Sequence, residues 1–388
     1  MRLFCRTDLK VLPSMHVGLN AQLLTLRQNY RGAGINAYIF NVLRAIGELG
    51  LPHRFTVFLG ERGFRDKNLE LRYTQWPTHR PEARVVWEQL VLPTLLQHTG
   101  VDILHAMAFV IPLMARCPSV VTIYDLSFLR YPHAFRPFNR WYLRCFTPVS
   151  ARRARRVIAI SESTRQDVIR HLGVAPERVD VIHCGVDPSF HPLPASEVES
   201  FRLEHHLFDP FVLFVGTLEP RKNVELLIRA YARWRGSCAR APKLVIVGAK
   251  GWYFETIFRT VASLGLDDIV LFPGYISTEQ LPLWYNAAGL FVYPSLFEGF
   301  GLPVLEAMAC GTPVICSNVS SLPEVAGDAA ILVSPDDEVA LADAMGAVWE
   351  SSGLRDAMIE RGLARARELT WTRAAAQTVQ TYQRALEA

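Results

Sequence analysis

The chain has 388 residues, half of them hydrophobic, which is enough for a sizeable core and long for one domain, so two domains are expected. It has no apolar run of about 18 residues or more, and its N-terminus lacks the apolar centre of a secretory leader, so neither a spanning helix nor export is expected. Seven scattered cysteines without a Cys-x-x-Cys pair argue for reduced thiols in a cytoplasmic setting and against a structural zinc site, and the net charge is only +4.

Residues 1–14 carry no pattern that fits the rest of the chain and read as an N-terminal extension. The first strand is predicted at 16–20. Arg31-Gly32-Ala33-Gly34-Ile35-Asn36 then forms a glycine-rich loop ahead of a helix over 37–49, where Gly34 would let the backbone approach a phosphate or simply make a tight turn. A strand is expected over 55–59, an apolar helix over 85–98 and a strand over 102–105. The last ends in His105, where the crevice of an open α/β sheet would lie. His105 is read either as a site residue or as a buried structural histidine. A strand over 120–123 runs into Tyr124 and Asp125. A tyrosine there can donate a hydrogen bond to a sugar or a phosphate but is uncharged at neutral pH.

The modest net charge hides an asymmetry. Residues 1–190 carry 25 Lys and Arg against 14 Asp and Glu, an excess of +11, whereas the remainder is −7. Arg136, Arg140, Arg144, Arg152, Arg153, Arg155 and Arg156 interleave with Phe138, Trp141, Tyr142, Leu143 and Phe146. Two readings fit: an amphipathic helix lying on an anionic membrane surface, or a packed helix with a solvated basic face. Nucleic acid is not expected as a partner, because no nucleic-acid-binding motif accompanies the charge. A strand over 157–160 follows, then a helix capped by Ser161, a strand over 179–183 and a proline-rich linker over 187–194.

The second half alternates strands (211–215, 243–247, 269–272, 290–293, 314–316, 331–333) with helices (224–234, 253–264, 278–287, 303–309, 338–349, 354–368), and a last helix spans 371–386. Ser277 and Gln280 form a capping-box pattern. Apolar strands alternating with helices mean a parallel, doubly wound α/β sheet. The densest signal is 294–313. After an apolar strand, Gly299 and Gly301 flank Phe300, Leu302 follows, Pro303 suits the first helical position and Gly311 suits the position just past the helix end. Free N–H groups at that helix start make an anion site, and Glu298 on the loop and Glu306 on the first helical turn beside it suit sugar hydroxyls. A nucleotide sugar presents both kinds of group. Glu298 also fits a plain acid at a helix start.

The Glu298–Glu306 spacing resembles the paired-glutamate motif of the retaining glycosyltransferases of the GT-B fold, family four. Gly216-Thr217-Leu218-Glu219-Pro220-Arg221-Lys222-Asn223 is similar to that family's donor-phosphate loop, and Ile160-Ser161-Glu162-Ser163 and Gly185-Val186-Asp187-Pro188 match further landmarks. The resemblance covers the chain from about Met15 onward and points to group 1, mannosyltransferase-like enzymes. It departs at Ala37, where the family usually has Arg, and at Tyr124, where many relatives carry His. It implies two Rossmann-like domains facing across a cleft: 15–190 on the acceptor side, 195–370 binding the nucleotide sugar, and 371–388 crossing back to the first.

By that resemblance Arg221 and Lys222 would stabilise the departing diphosphate, Glu298 would orient the transferred sugar and Glu306 would accept from the ribose. Gly216, Gly248 and Tyr275 would line the donor pocket, and His105, Tyr124 and Asp125 would face the acceptor. Lys222→Ala and Glu306→Ala would then weaken donor binding without unfolding the protein. No cofactor and no metal are expected, because no Asp-x-Asp pair is present to bridge the diphosphate. The implied reaction moves a hexose from a UDP- or GDP-linked donor to a glycan or lipid-linked acceptor, at the cytoplasmic membrane face. A nicotinamide dehydrogenase is disfavoured because the first glycine loop does not complete Gly-x-Gly-x-x-Gly. A nucleotide-sugar-binding protein without catalysis is the alternative that Ala37 and Tyr124 suggest.

Overall fold

The structure, a computed structural model, describes residues 14–26, 33–131, 137–238 and 241–387. Residues 1–13 of the expected N-terminal extension, Arg31, Gly32 and Arg136 lie outside the described residues. The N-terminal half runs β1 (His16–Asn20), α1 (Ala33–Glu48), β2 (Arg54–Leu59), β3 (Glu70–Tyr73), α2 (Pro81–Val86), a π turn (Trp87–Val91), α3 (Leu92–Thr99), β4 (Ile103–Ala106), β5 (Ser119–Ile123), α4 (Ser127–Arg130), α5 (Pro137–Arg153), β6 (Arg156–Ala159), α6 (Glu162–Leu172) and β7 (Val179–Val181). The C-terminal half runs α7 (Ala195–Glu204), β8 (Phe211–Val215), α8 (Val224–Ser237), β9 (Leu244–Val247), α9 (Glu255–Ser263), β10 (Val270–Gly274), α10 (Leu281–Ala287), β11 (Ala288–Tyr293), α11 (Leu302–Ala309), β12 (Val314–Ser317), α12 (Leu322–Ala326), β13 (Ala330–Val333), α13 (Glu338–Glu350), α14 (Ser352–Glu368) and α15 (Trp371–Glu387).

Two parallel sheets result, in the orders β3-β2-β1-β4-β5-β6-β7 and β10-β9-β8-β11-β12-β13. The centre of each is apolar because helices cover both faces: every residue of β8 and of β5 is buried. Each strand order reverses direction beside its first strand, so a crevice opens outside the carboxyl ends of β1 and β8. Near the chain crossover, Val186 N donates to Leu369 O at 3.1 Å, and Val186 bridges Thr370 in parallel. A Cβ on Gly185 would lie 2.1 Å from Trp371 N, so only glycine allows this crossing. Beyond it, α15 packs on α1, with Trp371 against the Tyr38 ring.

Three local expectations change. The helix expected over 85–98 is broken by the π turn, because Pro93 has no N–H to give Gln89 O; Leu92 N reaches back to Trp87 O instead. Gln280 lies at the start of α10 and its N–H takes Ser277 O in a backbone turn, so the capping box does not form. Gly34 and Asn36 already belong to the first turns of α1 rather than to a loop. The proline-rich segment leads into α7, and β3 is a short charged edge strand whose Glu70 pairs with Arg54 and Arg72.

Candidate active site

The site grows from the exits of β8 and β11. After β8, Pro220–Lys222 forms a short 3-10 turn ended by Asn223 in the left-handed region, whose side chain donates to Pro294 O and Pro335 O. Leu296 N donates to Arg221 O at 2.8 Å, so the two loops are bonded edge to edge. Gly301, with φ of 113°, starts α11, and Gly311, with φ of 76°, follows its end. From beneath, Ser320 Oγ accepts from Glu298 N, while Ser321 Oγ donates to the carbonyls of Glu298 and Phe300. The loop is therefore held by the carbonyl of Arg221 and by the hydroxyls of Ser320 and Ser321.

These loops bring four charges together. Lys222 Nζ lies 2.6 Å from Glu298 Oε1 and 2.5 Å from the Tyr293 hydroxyl. The Arg221 guanidinium lies 3.0 Å from Glu298 Oε2 and 2.7 Å from Glu219, and it donates to Phe297 O. Burial opposes ionisation of Glu298, but Arg221 and then Lys222 outweigh it and hold the pKa down to about 2. Burial lowers the Lys222 pKa and Arg221 adds to this, against the pull of Glu298. Glu219 is pushed up by burial, which its two cationic neighbours oppose. Arg221 and Lys222 are thus each matched by a carboxylate, so a diphosphate would share them with Glu219 and Glu298.

A cavity of about 590 Å³ lies beside this cluster, between the halves. Gly216, Gly248, Tyr275, Leu302 and Glu306 line it from the C-terminal half, as the sequence places them at the donor; Asn36, Ala37 and Asp187 line it from the other side. Gly248 has φ of 154°, and a Cβ there would lie 1.9 Å from Gly216 O, so this wall is bare backbone by necessity. Glu306 lies in the second turn of α11, not the first, and its Oε2 accepts from the Tyr285 hydroxyl at 2.8 Å. Burial raises its pKa to about 7, with Asp187 adding to the rise against the Tyr285 bond.

Several expected site residues fall elsewhere. His105 is fully buried with both ring nitrogens satisfied, 2.7 Å from the Tyr382 hydroxyl and 2.8 Å from Thr122 Oγ1; burial pushes its pKa down to about 3. It ties β4 to α15 and does not face an acceptor. Tyr124 is buried and donates to Met107 O at 2.6 Å, so its hydroxyl is spent inside the N-terminal half. Asp125 caps the start of α4 through Ser127 N, yet its charge also reaches Arg221. Gly34 is on α1 and does not line the cavity, nor do Arg221, Lys222, Glu298, Gly299, Phe300 or Gly301. Gly299 instead meets the opposite half: a Cβ there would lie 2.4 Å from Tyr124 O. The Phe300 ring lies tilted against His183, 6.0 Å between ring centres.

The sequence reading missed Glu219, Tyr285 and Asp187 as site residues. Glu219 stands in the quoted phosphate loop, and an acid beside an Arg-Lys pair was the available signal. No signal existed for Tyr285, which meets Glu306 only through the packing of α10 on α11. Glu324 closes the cleft: its carboxylate accepts from Glu162 N at 2.7 and 2.8 Å and lies 2.5 Å from His183 Nε2.

Two parallel α/β sheets facing a cleft, with a glycine-walled cavity and a buried acid–base cluster at the exits of the second sheet, define a glycosyltransferase of the GT-B class. Residues 196–365 match the family model "Glycosyl transferases group 1" and residues 32–190 match "Glycosyltransferase Family 4". O-antigen chain mannosyltransferase B of Escherichia coli is 32% identical over 266 residues, 68% of this chain and 70% of that protein. Serotype-specific mannosyltransferase WbdA of Escherichia coli is 33% identical over 61% of this chain, but the match spans only 29% of that longer protein. Among solved structures, sucrose-phosphate synthase from Thermosynechococcus elongatus superposes with a TM-score of 0.78 at 23% identity, covering 95% of this chain and 98% of that one. Anabaena HepE in complex with UDP and glucose superposes at 0.72 and 19% identity, over 95% and 99%. The chain belongs to the group 1, family four glycosyltransferases.

Proposed function

We propose that this enzyme transfers mannose from a nucleoside-diphosphate sugar to a hydroxyl of a growing envelope glycan, with retention of configuration. The observation that carries the reading is the cavity bounded by the backbone of Gly216 and Gly248 and by Glu306, which suits a nucleotide, next to a cationic pair that suits a diphosphate. The names of the relatives supply the sugar and the class of acceptor. In the reaction the bond from the sugar C1 to the diphosphate oxygen breaks and the electron pair leaves with the diphosphate. The acceptor oxygen bonds to C1 from the same face, and its proton passes to the departing phosphate.

Arg221 and Lys222 neutralise the charge that develops on the diphosphate, with no resident metal, and Glu298 holds both cations in place. Glu298 makes a poor nucleophile: it is ionised, but Arg221 and Lys222 engage its two oxygens. That supports a reaction without a covalent enzyme intermediate. Glu306 binds the ribose hydroxyls and Tyr275 the base side of the pocket. The N-terminal half carries the acceptor, at the cytoplasmic face of the membrane. Among the described residues no helix is long and apolar enough to cross a membrane.

The test offers the protein a panel of UDP- and GDP-linked hexoses with an α-mannose oligosaccharide, measuring nucleoside diphosphate release and the anomeric proton of the product. Release from one donor with an α-linked product, undiminished by chelator, is expected. A β-linked product refutes retention, and loss of rate with chelator refutes metal independence. Donor binding without release favours the catalytically silent reading that Ala37 suggests.

A further inference from the structure

Asp187 stands on the segment that carries the chain from the first half to the second, and it lines the cavity across from the wall that holds Glu306. Its place is fixed on both sides. Val186 N is bound to Leu369 O, and Phe190 N donates to Asp187 O at 3.0 Å to close a turn. Asn286 of α10 then clasps the same segment, accepting from Leu193 N at 2.8 Å and donating to His191 O at 3.0 Å. The Phe190 ring lies against Tyr285, 5.9 Å between ring centres, and the Tyr285 hydroxyl is the one bonded to Glu306. Asp187 and Glu306, far apart in the chain, are thus held in one frame.

Each carboxylate is only half used. Ser189 N donates to Asp187 Oδ1 at 2.9 Å and the Tyr285 hydroxyl to Glu306 Oε2 at 2.8 Å. Among the described residues no donor meets the second oxygen of either. Neither group is sealed: both are half-buried and border the cavity. Among the described residues no Lys, Arg or His lines the cavity, so no side-chain cation neutralises them there. The two stand close enough for the Asp187 charge to add to the rise of the Glu306 pKa.

Two acids that repel each other across a cavity suit a ligand that brings two O–H donors. A vicinal diol carries them on adjacent carbons, and each hydroxyl would make a charge-assisted bond to one carboxylate. A phosphate at the same place would be repelled.

We propose that Asp187 is a second ribose-binding residue, which takes one of the two vicinal hydroxyls while Glu306 takes the other, so that the nucleotide's own sugar bridges the two halves of the enzyme. The assignment rests on the reading of this cavity as the nucleotide site, and its test separates the two. UDP and GDP are titrated into the protein by calorimetry, and each that binds is compared with its 2′-deoxy and 3′-deoxy forms. Native protein is expected to bind either deoxy form roughly tenfold more weakly, because a carboxylate then loses its donor.

In Asp187→Ser, which keeps an oxygen to accept from Ser189 N, the intact nucleotide should bind roughly tenfold more weakly than to native protein. One of the two deoxy forms should then bind as well as the intact nucleotide, while the other keeps its tenfold deficit. Each ratio compares two ligands on one protein, so a change in the folded fraction cancels. Native-like ratios for both deoxy forms in Asp187→Ser overturn the role of Asp187 and leave the nucleotide site standing. Loss of both preferences together also overturns it, since Asp187 would then only support the crossover. Equal binding of all three forms by native protein removes the ribose role of Glu306 as well. Binding of neither UDP nor GDP sinks the transferase reading, and the assignment with it.

Discussion

At the scale of single residues the site is governed by burial. Lys222 and Glu298 are each about nine-tenths buried and paired at 2.6 Å. The sequence suggests a cleft-facing lysine whose removal spares the fold. The structure reverses that expectation, because truncating one partner strands the other charge in a poorly solvated place. Lys222→Ala should therefore lower stability by about 3 kcal/mol, and the double variant with Glu298→Gln should recover part of the loss. Urea denaturation measures both, and equal midpoints for native and Lys222→Ala would show that the cluster is well hydrated.

Glu306 behaves in the opposite way. Its pKa rises from the ordinary 4.5 to about 7, so the folded protein keeps a proton that the unfolded chain releases between those values. Stability must then fall as pH rises through that window and level off above it. Glu306→Gln removes the titration, so its stability relative to native should improve from pH 5 to pH 8. Parallel pH profiles for the two proteins would contradict the assignment.

At the scale of elements, α5 shows how one helix serves two faces. Tyr142 turns inward to Glu88, whereas Trp141 is 55% exposed, Arg144 is exposed one turn on, and Arg152 and Arg153 are exposed at the far end of the helix. Phe138 and Phe146 flank the indole, at 6.1 and 6.2 Å. An exposed tryptophan with arginines on the same side suits an anionic leaflet, where each basic residue contributes about 1 kcal/mol and salt weakens the effect. Protein should co-sediment with phosphatidylserine vesicles at low salt. It should release as salt rises and bind less when Arg140 and Arg144 become Ser. Equal recovery with neutral vesicles would instead assign the arginines to ordinary solvation.

At the scale of the whole molecule, the cleft is held by contacts between residues far apart in the chain. Glu324 reaches the N-terminus of α6 and His183, and Arg365 donates to the Glu324 carbonyl. Burial raises the Glu324 pKa, but His183 and the Glu162 N–H more than offset it, so the carboxyl titrates below its ordinary value. The clasp is therefore complete above that ordinary value and is lost as pH falls through the lowered one. Glu324→Ala should increase the radius of gyration by small-angle scattering at neutral pH, whereas native protein should expand only in acid. An unchanged radius for the variant would show that Gly299 against Tyr124 and the crossing at Gly185 suffice to keep the cleft shut.

Most of the architecture was legible in the residues. Apolar runs such as 211–215 and 290–293 can only be strands covered on both faces, and alternation with helices fixes a parallel sheet. Gly299, Gly301, Pro303 and Gly311 mark a strand, loop and helix start because each satisfies a local backbone demand. The resemblance carried by Glu298, Glu306 and the 216–223 loop named the family. Tertiary structure alone decided what each side chain meets. His105 ends a strand, as a cleft residue would, but α15 returns over it from 277 positions away and seals it with Tyr382. Tyr124 turns its hydroxyl to Met107, and Lys222 turns inward to Glu298. Local pattern encodes the backbone, because backbone preferences act between neighbours. Burial, pairing and pKa depend on groups that only folding brings together, so neither the acid–base cluster nor the meeting of Asp187 and Glu306 at one cavity could be read before the chain was folded.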